Sequence, residues 1–314
     1  MKNMDVIVVG ELNTDIILDQ IGAFPEIGKE IVARQMAITL GSSSAIFASN
    51  LSSLGAKVAF IGKIGKDHFG EFILHTLQSK GVDTSNIRQS ELLRTGTTLV
   101  LNYNEERAMV TYPGAMDDLC LNDIIPTQLA RGKHLHFSSF FLQAGLRENI
   151  GNLFQLAKAY GLTTSFDPQW DPAEKWHMKM EEILPFVDVF LPNEKELMNI
   201  TGASSLNTAI HSIKDISNII VVKRGNKGSL SWYNGKLLHK EPFLNKTVVD
   251  AIGAGDSLNA GFIFKLIQDA PLEVCQEFGN LTGAISTTER GGTSAFTDHK
   301  KVMKVAKERF GYAE

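Results

Sequence analysis

The 314-residue sequence is poor in the features that mark several large classes of protein. It holds two cysteines, Cys120 and Cys275, far apart and outside any CxxC spacing. That pattern supports neither a disulfide framework nor a thiolate metal site. Basic residues are not in excess: 31 Lys and Arg stand against 35 Asp and Glu, a net charge of −4. Without a basic footprint, nucleic acid and anionic membrane surfaces are not expected partners. No segment carries the roughly 18 uninterrupted apolar residues of a membrane-spanning helix. The opening DVIVVG run lacks the basic and apolar regions of a secretory signal, so a cytoplasmic location is the expectation. HExxH and a legible Ser-His-Asp order are missing too. Gly22 to Lys29 approaches a phosphate-binding GxxxxGK loop but has five residues between its glycines and Glu30 after the lysine. A dinucleotide fingerprint fails as well, because neither Gly10 nor the Gly253-Ala254-Gly255 turn has the required third glycine, which disfavours an NAD-dependent oxidoreductase.

What is present is an alternation of strand and helix. Short apolar runs suited to buried strands occur at Asp5–Gly10, Val58–Gly62, Thr163–Asp167, Val187–Leu191 and Ile219–Lys223. Amphipathic segments between them end at glycines: Ser44–Leu54 at Gly55, Phe69–Lys80 at Gly81, Ile150–Tyr160 at Gly161 and Glu194–Thr201 at Gly202. This order predicts a parallel sheet covered on both faces. Two regions depart from it, about 16–40 and 94–113. Their alternating segments, TTLVLNY and RAMVTY around Asn104-Glu105-Glu106 among them, predict antiparallel strands of a small accessory sheet inserted into one α/β unit. Such a sheet is a natural lid that excludes water from a reaction.

The most informative segment is VVDAIGAGDSLNAG, Val248 to Gly261. Gly253, Ala254 and Gly255 leave backbone N–H groups free at a helix N-terminus, where the helix dipole favours an anion. Asp256 follows at once. A carboxylate beside a phosphate-sized hole binds phosphate poorly, and it is well sited to take a proton from a hydroxyl that attacks the phosphate. The chemistry implied is phosphoryl transfer to an alcohol.

The segment from Asp250 to Asp256, the stretch GSSSAIFASNLSSLGAKVAFIG from Gly41 to Gly62 and the opening GELNTD together resemble the ribokinase-like, or PfkB, carbohydrate kinases. GKIGKDHFG after a strand, Asn193-x-x-Glu196 and Lys223-Arg224-Gly225-x-x-Gly228 extend the likeness over nearly the whole chain. The resemblance implies a three-layer α/β/α sandwich with a mostly parallel central sheet and a small β lid, with ATP and Mg²⁺ as co-reactants. It makes Asp256 the general base and Gly253, Ala254 and Gly255 the anion hole. It places Asn193 and Glu196 near the magnesium and its waters, and Lys223, Gly225, Gly228 and Asn280 around ATP. Asp250 and Ile252, with the Gly291-Gly292 loop, resemble a monovalent-cation site, which makes potassium dependence an expectation. Asp15 becomes the ligand of an acceptor hydroxyl, with Gly41 and Ser42 beside it.

Two departures put the acceptor's identity in question: Ile46 stands where the family usually has a sugar-binding asparagine, and Ala251 where it commonly has threonine. Asn13, Arg107, His136, Ser138 and Phe140 are further candidate acceptor contacts, and Arg34, Arg94 and Arg107 are the cations an acidic acceptor would need. The expected acceptor is a sugar or sugar derivative such as a ketose or a keto-deoxy sugar acid. A nucleoside, a sugar phosphate, or a ligand sensor of weak activity on the same fold are the alternatives. A homodimer through the lid is a further expectation.

Overall fold

The computed structural model describes residues 2–103 and 106–313. Thirteen strands form two sheets among these residues. The larger sheet contains β1 (Met4–Val9), β4 (Val58–Gly65), β5 (Asp83–Ser90), β8 (Gly132–Ser138), β9 (Thr163–Asp167), β10 (Val189–Phe190), β11 (Ile219–Lys223), β12 (Ser229–Tyr233) and β13 (Lys236–Lys240). Their order is β13-β12-β11-β10-β9-β8-β1-β4-β5. From β11 to β5 every pairing is parallel, and β12 and β13 add an antiparallel margin.

Both faces of this sheet are buried, which is why its central strands read as continuous apolar runs. Alternate residues of β1 enter different cores. Val6 and Val8 pack with Phe47, Leu51, Phe262 and Phe278 on one face, and Ile7 and Val9 pack with Leu153, Phe154, Leu197 and Ile210 on the other. The first core is covered by α1 (Ser43–Ser53) and α2 (His68–Ser79), followed later in the chain by α6 (Ala254–Leu266), α7 (Leu272–Ser286) and α8 (His299–Phe310). The second lies under α3 (Ile150–Ala159), α4 (Glu194–Thr201) and α5 (Leu206–Ile213). Gly55, Gly81, Gly161 and Gly202 all have positive φ beyond their helices, as expected of chain-reversing C′ positions.

The smaller sheet consists of β2 (Asn13–Ile21), β3 (Ala33–Leu40), β6 (Gly96–Tyr103) and β7 (Glu106–Tyr112), in the order β3-β2-β6-β7. Asn104 and Glu105, expected between its last two strands, lie outside the described residues. The expectation of antiparallel strands holds for its two outer pairs and fails at its centre. There β2 and β6 are parallel, with Asn13 opposite Gly96 and Leu18 opposite Leu101. The reason is topological: β2 leaves the large sheet from β1 and β6 leaves it from β5, two strands with the same direction. One face of the small sheet presents Met36, Ile38, Val110 and Tyr112 outward, and the other turns Asp15, Ile17, Thr39 and Arg107 toward the large sheet.

Candidate active site

The carboxyl ends of parallel strands are where an open α/β sheet offers a crevice. Glu11 follows β1, Ser138 ends β8, Asp167 ends β9, Asn193 follows β10 and Lys223 ends β11. Across from them stands the N-terminus of α6, whose cap Gly253 has φ +73°. A side chain there would meet Gly292 at 2.6 Å and Ile46 at 3.1 Å, so the turn closes against both. Asn50 on α1 ties it further, donating to Ser257 Oγ at 2.9 Å and to the Gly292 carbonyl at 2.8 Å.

Asp256, in the first turn of α6, is 8% exposed and accepts a hydrogen bond from Gln169 Nε2 at 3.0 Å. Burial first, then the facing carboxylate of Asp167, push its pKa up to about 7, and Lys223 opposes the shift. Asp167 has no exposed surface and is held by the Lys223 ammonium, by Asn259 Nδ2 and by Gln169 Nε2 at 2.9 Å. Lys223 is the cation that faces Asp167, Asp256 and Glu196 together. Glu196 closes a capping box on α4: Glu196 N donates to Asn193 Oδ1 and Asn193 N to Glu196 Oε2, both at 2.8 Å. Burial, followed by Asp167, raises Glu196 to about 7.

Two cavities adjoin at the turn before α6, sharing Val248 and Ala251 in their walls; Lys223, Ala254 and Gly255 line the second, and Asp256 lines neither. The first, about 660 Å³, lies beneath the small sheet and is lined by Ile17, Asp19, Thr39, Arg107, Asp250 and Arg290. Asp15 borders this region, with Asn13 Nδ2 donating to its carboxylate at 3.1 Å and burial raising it to about 6. Gly41 lets both side chains approach its backbone, because a Cβ would sit 2.2 Å from Asp15 Oδ1 and 2.8 Å from Asn13 Oδ1 and would force them to move. Ser42 caps α1, its Oγ accepting from Ala45 N at 3.0 Å. The second cavity, about 370 Å³, is lined by Lys223, Gly225, Gly228, Gly255, Asn280 and the apolar Phe243 and Leu258, among others. Gly225 and Gly228 both have positive φ, and Gly225 faces open space. Asp250 accepts from Ile252 N and from Gly291 N, each at 2.9 Å, and so joins the turn before α6 to the Gly291 loop.

Residues 3–299 match the pfkB family carbohydrate kinase. The chain belongs to this family. Its similarity to an uncharacterized sugar kinase of Archaeoglobus fulgidus is 30% identity over 235 residues, 74% of this chain and 92% of that one. A 5-dehydro-2-deoxygluconokinase of Lacticaseibacillus casei is 29% identical, with 82% of each chain covered. Among solved structures, a putative ribokinase II from E. coli superposes with a TM-score of 0.86 at 22% identity, covering 97% of this chain and 99% of that one. The E. coli protein has also been solved in complex with ATP and Mg²⁺, with a TM-score of 0.83.

Not every candidate residue of this carbohydrate kinase reaches a cavity. Arg107 lines the larger cavity, whereas Asp15, Asn13 and Gly41 stand together without lining it. His136 lines neither cavity: it is fully buried, its ring stacked on Phe47 at 3.7 Å and its Nδ1 bonded to Ser165 Oγ at 2.8 Å. Ser138 is 1% exposed and bonds Ser44 Oγ at 2.8 Å, and Phe140 belongs to the second core. Arg94 lies beside Asp67, and neither it nor Arg34 lines the larger cavity, where Arg290 stands instead. Sequence reasoning missed Glu11, Asp167, Gln169, Asn259 and Arg290. For Asp167 a signal existed: it is the terminal residue of an apolar strand, at the carboxyl end where sites form. Glu11 is 2% exposed and receives Ser43 Oγ at 2.9 Å, Ser44 N at 3.1 Å and the Ser44 hydroxyl, and burial raises its pKa.

Proposed function

We propose that this carbohydrate kinase transfers the γ-phosphoryl group of ATP to a hydroxyl of a sugar or sugar derivative, with Asp256 as general base. The observation that carries this reading is the place of Asp256: a buried carboxylate at a helix N-terminus, raised to about 7, directly after Ala254 and Gly255, which line the smaller cavity. A base poised near the working pH is deprotonated often enough to act and basic enough to take a proton. In the step, the acceptor oxygen forms a bond to the γ-phosphorus, the bond from that phosphorus to the ADP oxygen breaks, and the hydroxyl proton passes to Asp256. In this reading the Gly255 N–H and the Lys223 ammonium, both in the wall of the second cavity, would face the transferring phosphoryl charge, and the Ala254 N–H, which donates to the Ala251 carbonyl at 3.3 Å, would join them once released from that bond.

The second cavity fits a nucleotide. Phe243, Leu258 and Ala284 offer apolar cover for a base, and Gly225, Gly228 and Lys223 leave room and charge for phosphates. Among the described residues no three His, Cys, Asp or Glu side chains gather as a metal cage. One buried carboxylate, Glu196, beside Asn193 is the donor set suited to magnesium held mainly by phosphates and water, where the ion neutralises phosphate charge. Asp250, Ile252 and Gly291 would hold a monovalent cation, potassium among them, beside the anion hole. The larger cavity, with Arg107 in its wall and the Asp15, Asn13 and Gly41 cluster near its Arg107 and Asp250, takes the acceptor, and the small sheet acts as its lid within one α/β unit. The outward Met36, Ile38, Val110 and Tyr112 support pairing of two copies through that lid.

The test is ADP release with ATP, Mg²⁺ and K⁺ across sugars, sugar acids, sugar phosphates and nucleosides, repeated with Asp256→Asn. One acceptor class should respond, and the variant should lose on the order of 10²- to 10⁴-fold in turnover. The kcat/KM profile should rise with pH and reach half its plateau near the raised Asp256 value of about 7. Full turnover by Asp256→Asn would remove the base from this reading.

A further inference from the structure

Gln169 is neither at a helix terminus nor in a strand, yet it is the residue that touches the base. It follows Asp167 and Pro168 beyond β9 and has φ +60°, the left-handed region that costs a non-glycine residue roughly 1 kcal/mol or more. Such a conformation persists where its surroundings fix it, and it concentrates at functional sites. The surroundings here do so from both sides. Upstream, Asp167 is locked by Lys223 and Asn259. Downstream, the buried carboxylate of Asp171 accepts from the backbone of Ala173 at 2.9 Å, Lys175 at 2.8 Å and Trp176 at 2.7 Å. The Trp176 ring then packs edge-on against Trp170 and Phe141, with centroids 4.8 and 5.5 Å away.

From this backbone the Gln169 side chain places one nitrogen 2.9 Å from Asp167 Oδ2 and 3.0 Å from Asp256 Oδ1. An amide nitrogen has two hydrogens, so both are engaged, one on each carboxylate. We propose that Gln169 is a positioning residue that fixes the rotamer of Asp256 against the anchored Asp167 and leaves the second oxygen of Asp256 to receive the acceptor's proton. The proposal rests on the reading of Asp256 as the base. A carboxylate held by one oxygen needs no reorganisation before proton transfer, and misplacement by about 1 Å can cost on the order of 10²-fold in rate. Gln169 is also a neutral donor in a site where Asp167 from β9, Glu11 beyond β1 and Glu196 from α4 oppose the charge of Asp256 and Lys223 from β11 alone offsets them. A donor to the ionised form favours that form, so its loss should raise the pH at which Asp256 ionises.

Gln169→Gly deletes the amide while keeping a residue that adopts positive φ without strain, and Gln169→Glu keeps the shape but replaces the donor with an acceptor. Steady-state kinetics from about pH 5.5 to 8.5 should give a roughly 10- to 100-fold lower kcat for both. The acceptor KM should change little, and the acidic limb of kcat/KM should move to higher pH, further for Gln169→Glu. Melting midpoints identify any loss due to unfolding, which the glycine variant is designed to avoid. An unchanged kcat and limb in a folded Gln169→Gly protein would overturn the proposal, and so would a fall in kcat with an unmoved limb. Asp256→Asn in the same assay separates the two readings: its full activity would defeat the base itself, whereas its inactivity beside a normal Gln169→Gly enzyme would defeat only the positioning role.

Discussion

Arg290 joins the small sheet to the loop that flanks the anion hole: its Nη2 lies 2.9 Å from Asp19 Oδ2 on β2. Its Nη1 donates to Gln35 Oε1 on β3, also at 2.9 Å. The next residue, Gly291, packs under Thr39 and donates its N–H to Asp250. A movement of the small sheet therefore reaches the turn before α6 through a short covalent and hydrogen-bonded path.

The arginine side chain is 58% exposed, so the ion pair should contribute little to stability, about 0–1 kcal/mol. Its contribution to acceptor binding should be larger. Arg290→Ala is expected to leave the melting midpoint nearly unchanged and to raise the acceptor KM by about fivefold or more, the effect of a coupling of about 1 kcal/mol. Paired calorimetry and kinetics decide this. A variant with parental KM would show that the bridge is incidental to binding.

Helix ends were the most legible part of the fold, because a glycine with positive φ is a local requirement that no distant contact can replace. Gly55, Gly81, Gly161 and Gly202 show it. Strand β5, Asp83–Ser90, escaped detection: DTSNIRQS lies at the sheet edge, where polar residues satisfy the pairing without an apolar pattern. The parallel pairing of β2 with β6 depends on the order of strands in the other sheet, which periodicity does not carry. In the site, the glycine-rich turn at Gly253 and the acid after it, at the start of α6, were visible in the sequence, and the family resemblance supplied the role proposed for Asp256. Asp167 carried only the weak signal of ending an apolar strand, and Gln169 and Glu11 carried none, since each gains its place from strand ends that converge only after folding. His136 shows the converse: a polar side chain expected to contact the acceptor is fully buried and stacked on Phe47.

The pair of Lys223 with Asp167 should be the most stability-sensitive contact in the site. Lys223 is 7% exposed and Asp167 fully buried, and the remaining near neighbours are carboxylates. Removing one partner of such a pair leaves an uncompensated buried charge and costs about 3–5 kcal/mol. Lys223→Met should therefore lower the denaturation midpoint sharply, and adding Asp167→Asn should recover part of the loss. Urea unfolding of the parent, both single variants and the double variant gives the coupling directly. Additive losses would mean that the two residues do not stabilise each other.

The site's carboxylates should make the nucleotide-free protein more stable in mild acid than in mild base. Glu11, Asp15, Glu196 and Asp256 are all raised by burial, Asp15 to about 6 and the last two to about 7. Between pH 4 and 7 they bind more protons folded than unfolded, so their contribution to stability falls as pH rises. His134 and His136 oppose this. Burial lowers the first to about 4 and the second well below its usual value, so they bind fewer protons when folded and their contribution rises with pH up to about 6.5. Four acids outweigh two histidines, whose unfolded forms are half-protonated near pH 6.5 and contribute progressively less above it. Acids with lowered values, such as Asp67 and Asp83, are ionised in both states from about pH 5.5 upward and do not change the slope there. The melting midpoint without ligand should thus be higher near pH 5.5 than near pH 8, falling most steeply around 6 to 7. Glu196→Gln, which can still accept from Asn193 N in the capping box, should raise the midpoint near pH 8 by a few degrees and flatten the slope. A midpoint that climbs from pH 5.5 to 8 in the parent protein would mean that these carboxylates ionise near their ordinary values, and the case for Asp256 as a base poised near neutrality would fall with them.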